Sequence, residues 1–383
     1  MNQKKVDRKR PTLMYVLGLA PQKIGGMEKF LRYFAVALDA AGWDTVLCFD
    51  GPISPEFLEY VRFPFVHVES LDHQENLGLA CAGRLWKLLW RYRPQSFVYA
   101  FHGVMRCFPW LARISGCRRI YFNDHSSRPP GQVAAPMSLL KRLVGRCLTF
   151  PLTGVCSVSE FTRRTGEVMG LSAAPSVVAP NGVEVRDFDP GRRSAFRERW
   201  GLGQRDLVVT QVCWMIDEKG VDAMLRAASL LLGKHGGVRF LFVGDGPKLA
   251  AYRKLAAELG IEGAVTFTGL LHNPTDMGVF DASDVYCQPS IWQEASGLAV
   301  LEAMSLKVPV VVSDTGGLRE HVEDGKSGFV VPVGDSEAIS AALERLVGDR
   351  MLRSKMGEAG LATVNREHRI EQMADSYVEI MTG

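Results

Sequence analysis

Short runs of valine, isoleucine, leucine and phenylalanine recur along the chain, and few of them alternate with polar residues. A strand covered on one face alternates with period two, whereas a strand covered on both faces reads as a continuous apolar run. Strands are therefore predicted at Leu13–Leu19, Thr45–Phe49, Phe97–Phe101, Arg119–Phe122, Gly154–Val158 and Ser176–Ala179. A second set is predicted at Leu207–Val212, Arg239–Val243, Val265–Thr268, Val285–Gln288, Val308–Val312 and Phe329–Val331. Amphipathic stretches separate them; Val221, Met224, Leu225, Ala228 and Leu232, for example, share one face of a helix. Strand–helix alternation of this kind predicts the α/β class with doubly wound parallel sheets. The pattern restarts once, after the charged stretch Pro180–Arg205, which holds Asn181-Gly182 and Pro190 and reads as a linker. Two Rossmann-like domains are expected, 11–185 and 190–364, with an interdomain cleft beyond the carboxyl ends of the strands, where such sheets bind ligands.

The chain has 383 residues, enough for two cores, and 47% hydrophobic with 23% charged residues excludes a disordered or collagen-like protein. No apolar run is long enough to span a bilayer. Met1–Arg10 carries five basic residues, but the apolar run after Pro11 is short and reads as the first strand rather than a signal peptide. A cytoplasmic protein is expected. Its eight cysteines include no C-x-x-C pair, so reduced thiols, mostly buried, are expected rather than disulfides or a metal. Residues 1–190 carry a net charge of +8 and the remainder −5. Either the first half meets an anionic partner, such as a membrane surface, a lipid phosphate or an acidic saccharide, or its basic surface is simply solvated. No nucleic-acid partner is expected.

The densest chemistry lies in Gln288-Pro-Ser-Ile-Trp-Gln-Glu294-Ala-Ser-Gly297-Leu-Ala-Val-Leu-Glu302-Ala-Met. A strand ends near Gln288 and a helix is predicted to begin near Gly297. The amides of Ser296, Gly297 and Leu298 then lie at a helix N-terminus, where unpaired N–H groups and the macrodipole favour an anion. Glu294 falls in the loop, and Glu302 falls within the helix in apolar company, where a carboxylate needs a hydrogen-bond donor such as a sugar hydroxyl. Taken alone, Glu302 reads as an exposed helix residue.

The pair follows Pro289-Ser290 and precedes Pro309-Val310-Val311, Gly316-Gly317-Leu318-Arg319-Glu320 and Asp324-Gly325-Lys326-Ser327-Gly328. This ordered string resembles the retaining glycosyltransferases of family 4, with the motifs P-S-x(2–3)-E-x7-E-A-M, P-V-V, G-G-x-x-E and D-G-x-x-G. Asp217-Glu218-Lys219-Gly220, Gly244-Asp245-Gly246-Pro247, Phe267-Thr268-Gly269, Asn181-Gly182-Val183-Glu184, Gly25-Gly26-Met27-Glu28 and His125-Ser126 extend the likeness over about residues 13–380, loosely between 50 and 150. The resemblance implies the GT-B fold of two facing Rossmann-like domains, an acceptor-binding first and a donor-binding second, with residues 365–383 returning to brace the first.

It also implies roles. Glu294 accepts from donor-sugar hydroxyls and Glu302 from ribose hydroxyls. Lys219 places a charge on the donor diphosphate, and Gly244 lies in a donor-side turn. Gly25 and Gly26 let backbone approach a phosphate or sugar, or form an ordinary tight turn. Gly316 and Gly317 offer amides to the distal phosphate, or again form a turn. His125 lines the acceptor side or is structural. One departure from the family matters: where a G-R pair precedes E-K-G and its arginine grips the diphosphate, this chain has Cys213 and Trp214. Arg319 is a candidate substitute. Trp214 itself stacks on a sugar, lines the acceptor site, or packs at a strand end.

The activity so implied is retaining transfer of a sugar from a nucleotide-diphosphate sugar to an acceptor hydroxyl in polysaccharide, cell-envelope or glycolipid synthesis, with no metal and no cofactor beyond that co-substrate. The acceptor is expected to be a saccharide or lipid-linked. Arg84–Arg93 and Met137–Phe150 mix cations with apolar residues, and each reads either as a peripheral membrane contact at the inner face of the membrane or as a core-packing helix with a basic face. Two rival readings are a catalytically weakened sugar-nucleotide-binding protein, motivated by Trp214, and a sugar-nucleotide 2-epimerase.

Overall fold

A computed structural model describes residues 10–71, 79–132 and 135–383; the basic run before Arg10 lies outside them. Two compact units divide the chain. The first takes the chain up to Ser126, the stretch ending at Pro180, and Glu371–Gly383; the second takes Ser127–Gln132 and Asn181–Ile370.

The first unit holds seven parallel strands: β1 (Thr12–Leu17), β2 (Asp44–Phe49), β3 (Val66–Ser70), β4 (Ser96–Ala100), β5 (Arg119–Asp124), β6 (Gly154–Ser157) and β7 (Ser176–Val178), in the order 3-2-1-4-5-6-7. The second holds six, also parallel: β8 (Leu207–Val212), β9 (Val238–Val243), β10 (Val265–Phe267), β11 (Val285–Gln288), β12 (Val310–Ser313) and β13 (Gly328–Val331), in the order 10-9-8-11-12-13. Both sheets are doubly wound, as the continuous apolar runs require. In each the order reverses once, between β1 and β4 and between β8 and β11, and a ligand of such a sheet sits beyond the carboxyl ends at that reversal.

Two expectations need correction. Strand β3 lies outside the predicted set, because Val66-His-Val-Glu-Ser alternates at a half-covered sheet edge instead of running apolar. The stretch Pro180–Arg205 is more than a linker. It contains the helix Pro190–Arg199, whose first amides are capped by the Asp189 carboxylate. Arg197 of that helix is fully buried and donates to the carbonyls of Gly203, Asp206 and Ala282 and to the Asp284 carboxylate at 2.7 Å, so a charged segment is tied into the second unit. As expected, all eight cysteines are free and most are buried; Cys107 and Cys147 are exposed.

The last helix, Ile370–Thr382, places Met373, Tyr377 and Met381 in the core of the first unit. Tyr377 packs edge-on against Phe30 and Phe34, and its hydroxyl donates to Asn123 Oδ1 at 3.1 Å. Among the described residues no helix is long and apolar enough to cross a membrane.

Candidate functional site

At the reversal point of the second sheet, two loops interlock. The loop after β8 passes through a short 3-10 turn, Asp217–Lys219, and into Gly220, whose φ of +65° is left-handed. A Cβ on Gly220 would lie 2.0 Å from the Pro289 carbonyl oxygen, so only glycine lets this loop close on the one after β11. The amides of Ile291 and Trp292 donate to the Glu218 carbonyl, and Gln211 Nε2 donates to the Lys219 carbonyl. These bonds place the Lys219 ammonium 2.5 Å from Glu294 Oε1, and Ser290 Oγ donates to the same oxygen at 2.8 Å. Glu294 is only 7% exposed; two donors, one of them charged, offset the cost of burying its carboxylate.

Glu294 is also held by its backbone. The Gly317 amide donates to its carbonyl at 2.7 Å, and Ala295 N–H donates to Ser127 Oγ. Arg128 and Gln293 exchange backbone bonds in an antiparallel bridge, which explains why Ser127–Gln132 belongs to the second unit. The loop then turns through Gly297, at φ +100°, into the helix Leu298–Ser305. Among the described residues the amides of Ser296, Gly297 and Leu298 find no acceptor. Such a terminus, with its partial positive charge, suits an anion. Glu302 lies half-buried inside this helix; the nearby Tyr286 phenol, which burial holds protonated, donates to Gln288 Oε1 at 2.8 Å.

The structure thus gathers Lys219, Glu294, Ser296, Gly297, Leu298, Gly316 and Gly317 around one loop, but it changes several roles. The Gly317 amide is committed to Glu294, and a Cβ on Gly316 would lie 2.3 Å from the Glu294 carbonyl oxygen. The pair therefore braces the loop and does not present the Gly317 amide to a phosphate. Gly244 likewise serves a backbone crossing. Its amide donates to Gly269, and a Cβ there would lie 1.9 Å from the Cys213 carbonyl oxygen. In the first unit the Gly25 amide is taken by the Glu28 carboxylate at 3.0 Å, a helix-capping bond, while Gly26 opens the helix Gly26–Ala40. Arg319 pairs with Asp314 at 2.9 Å on the surface. Trp214 is 52% exposed, so it is not a strand-end packing residue.

His125, also in the first unit, lies flat on Phe101 with ring centroids 4.6 Å apart, and Phe101 takes a left-handed φ of +58°. Burial pushes the His125 imidazole down to about 3, which keeps it neutral, and its buried Nε2 has no partner among the described residues. Among the described residues no three His, Cys, Asp or Glu side chains group as a metal site. Two site residues were not assigned from the sequence. Ser290 lies within a motif that could have pointed to it. His321, hydrogen-bonded to Ser296 from 25 residues away, leaves no local signal.

Comparison with known proteins places this geometry among relatives. Residues 24–187 match the model described as Glycosyltransferase Family 4, and residues 192–363 that described as Glycosyl transferases group 1. The chain is 31% identical to the GDP-mannose-dependent alpha-(1-6)-phosphatidylinositol monomannoside mannosyltransferase of Mycolicibacterium smegmatis, over 89% of this chain and 90% of that protein. It is 30% identical to the Mycobacterium tuberculosis H37Rv protein of the same name, over 95% and 96%. A glycosyltransferase from Rickettsia africae superposes with a TM-score of 0.82 at 19% identity, covering 98% of both chains. Anabaena HepE in complex with UDP and glucose superposes with a TM-score of 0.78 at 18% identity, covering 98% of this chain and 100% of that one. At these identities the two structures speak to the fold.

Proposed function

The chain belongs to the family 4 glycosyltransferases of GT-B fold, and from that premise we propose that it transfers a hexosyl group, with retention at the anomeric carbon, from a nucleotide-diphosphate sugar to a lipid-linked saccharide of the cell envelope. The observation that carries this reading is the buried Glu294 carboxylate, bonded by Lys219 on one oxygen and set beside the open amides of the helix Leu298–Ser305. An ammonium has three donors, so Lys219 can keep its bond to Glu294 while reaching a phosphate oxygen. The diphosphate gains negative charge as its bond to the sugar breaks. Lys219 and the amides of Ser296, Gly297 and Leu298 are already oriented to stabilise that charge. The acceptor oxygen bonds to the anomeric carbon on the face the diphosphate leaves, and its proton passes to the departing phosphate oxygen. Glu294 holds sugar hydroxyls and Glu302 ribose hydroxyls; neither attacks the sugar. No metal is required for this division of labour.

Residues 190–364 serve the donor and residues 11–185 the acceptor, with neutral His125 on the acceptor side. The relatives' names point to GDP-mannose as the first donor to test and to an inositol lipid as the acceptor class. A lipid acceptor calls for membrane contact. The helix Leu139–Thr149 turns Leu139, Leu140, Leu143 and Val144 to solvent, followed by exposed Phe150, while Gly145 and Thr149 face the protein. Thr149 Oγ1 donates to the Leu171 carbonyl, and a Cβ on Gly145 would lie 2.9 Å from that same oxygen. The apolar face thus points outward, flanked by Lys141 and Arg146, which suits an anionic interface on the cytoplasmic side. The test is a thermal-shift and turnover screen with GDP-mannose, UDP-glucose and ADP-glucose in the presence of EDTA. The reading expects one donor to stabilise the protein and to be consumed. Interconversion of free sugar nucleotides, or loss of all turnover in EDTA, contradicts it.

A further inference from the structure

The segment Gly316–His321 touches the donor loop at three places. Gly316 and Gly317 meet the backbone of Glu294, Leu318 packs against Gly297, and His321 Nε2 lies 3.0 Å from Ser296 Oγ. Both partners of the last contact are 3% exposed. The His321 ring is fixed from behind by His368, edge-to-face at 4.7 Å, and His368 Nδ1 donates to the Asn181 carbonyl at 2.9 Å. No role in the reaction follows from the family motifs for His321, which follows Glu320 in the chain.

The direction of the Ser296–His321 bond can be worked out. Burial beside His368 holds the imidazole neutral, so one nitrogen carries no hydrogen. That nitrogen is Nδ1, the buried His321 atom without a partner among the described residues. The alternative would bury an unpaired N–H, which is rarer in folded proteins than an under-satisfied acceptor. Ser296 Oγ therefore accepts from His321 and keeps its own proton. The hydroxyl belongs to the residue whose own amide, with those of Gly297 and Leu298 after it, has no acceptor among the described residues.

We propose that His321 is a positioning residue that fixes the Ser296 hydroxyl as a donor to the nucleotide diphosphate, adding a side-chain hydrogen bond at a site where Trp214 replaces a cation. This inference rests on the donor reading above and extends it to a residue pair.

The test is titration calorimetry with GDP and UDP on the full chain, alongside melting temperatures, for wild type, Ser296→Ala, His321→Phe, His321→Gln and the double variant Ser296→Ala/His321→Phe. A hydrogen bond to a charged group is at stake, so Ser296→Ala and His321→Phe are each expected to weaken the better-bound nucleotide about tenfold or more. The double variant is expected to bind no more weakly than Ser296→Ala alone, because both changes remove one donor. His321→Gln, which keeps an N–H toward Ser296, is expected within about twofold of wild type. Unchanged binding in Ser296→Ala overturns the proposal, as does additive weakening in the double variant. Should His321→Phe fail to fold, Ser296→Ala and His321→Gln still decide: a glutamine variant with a wild-type melting temperature that binds as weakly as Ser296→Ala overturns it. A wild-type protein that binds neither nucleotide overturns the donor reading together with this one.

Discussion

Glu294 receives two donors on a single carboxylate oxygen, which determines what a substitution there removes. Glutamine keeps an acceptor for Lys219 and Ser290 but loses the charge and part of the capacity to accept from sugar hydroxyls. Glu294→Gln is expected to lower kcat about tenfold to a hundredfold with a melting temperature within a few degrees of wild type. Wild-type turnover would discard the assigned role. Trp214 gives the opposite test. It is half-exposed in the loop after β8, so Trp214→Arg costs little packing and adds the cation of the family motif. Donor affinity is expected to rise up to about tenfold, read as a lower KM for the donor. Lys219 and Glu294, which the structure brings together, stand in local motifs that spacing could pick out. Gly317 and Gly244 were not legible in that way, because what engages their amides, Glu294 and Gly269, is set by loop crossings that a linear pattern does not display.

At the scale of elements, uninterrupted apolar runs marked the buried strands, and half-covered β3 escaped that criterion. The charged stretch around Arg193 and Arg197 read as a linker because its anchoring depends on Asp284 and on carbonyls far along the chain. The helix Leu139–Thr149 was legible as basic and amphipathic, but its sequence did not say which face the protein covers. With the apolar face outward, Leu139→Glu/Leu143→Glu changes residues 71% and 59% exposed and leaves the fold intact. Wild type is expected to cosediment with vesicles containing phosphatidylglycerol and only weakly with phosphatidylcholine alone, and the double variant to lose at least tenfold of that binding. Equal binding by the variant, or a dimer that the variant dissolves, would mean that something other than lipid covers this face.

For the whole molecule, the strand order places both candidate loops, Cys213–Gly220 and Pro289–Gly297, at one reversal of one sheet. The doubly wound pattern was readable from the sequence; that the return helix would seat Tyr377 on Asn123, one strand position from Asp124-His125, was not. Stability should also carry the mark of the buried histidines. Burial pushes His125 and His321 down to about 3, against about 6.5 in an unfolded chain. Between those values the unfolded state binds protons that the folded state refuses. Stability is therefore expected to fall as pH drops below about 6.5, by up to about 1.4 kcal/mol per pH unit for each such group. Denaturant unfolding at pH 7 and pH 5 checks this, and His321→Gln should lessen the difference; an unchanged slope would mean that His321 titrates normally. The most direct measurement of the central claim is a crystal structure of the protein soaked with a nucleoside diphosphate. The account predicts the distal phosphate within hydrogen-bonding distance of Lys219 Nζ and the Gly297 and Leu298 amides; a nucleotide seated elsewhere, with those groups still turned only on protein, would contradict it.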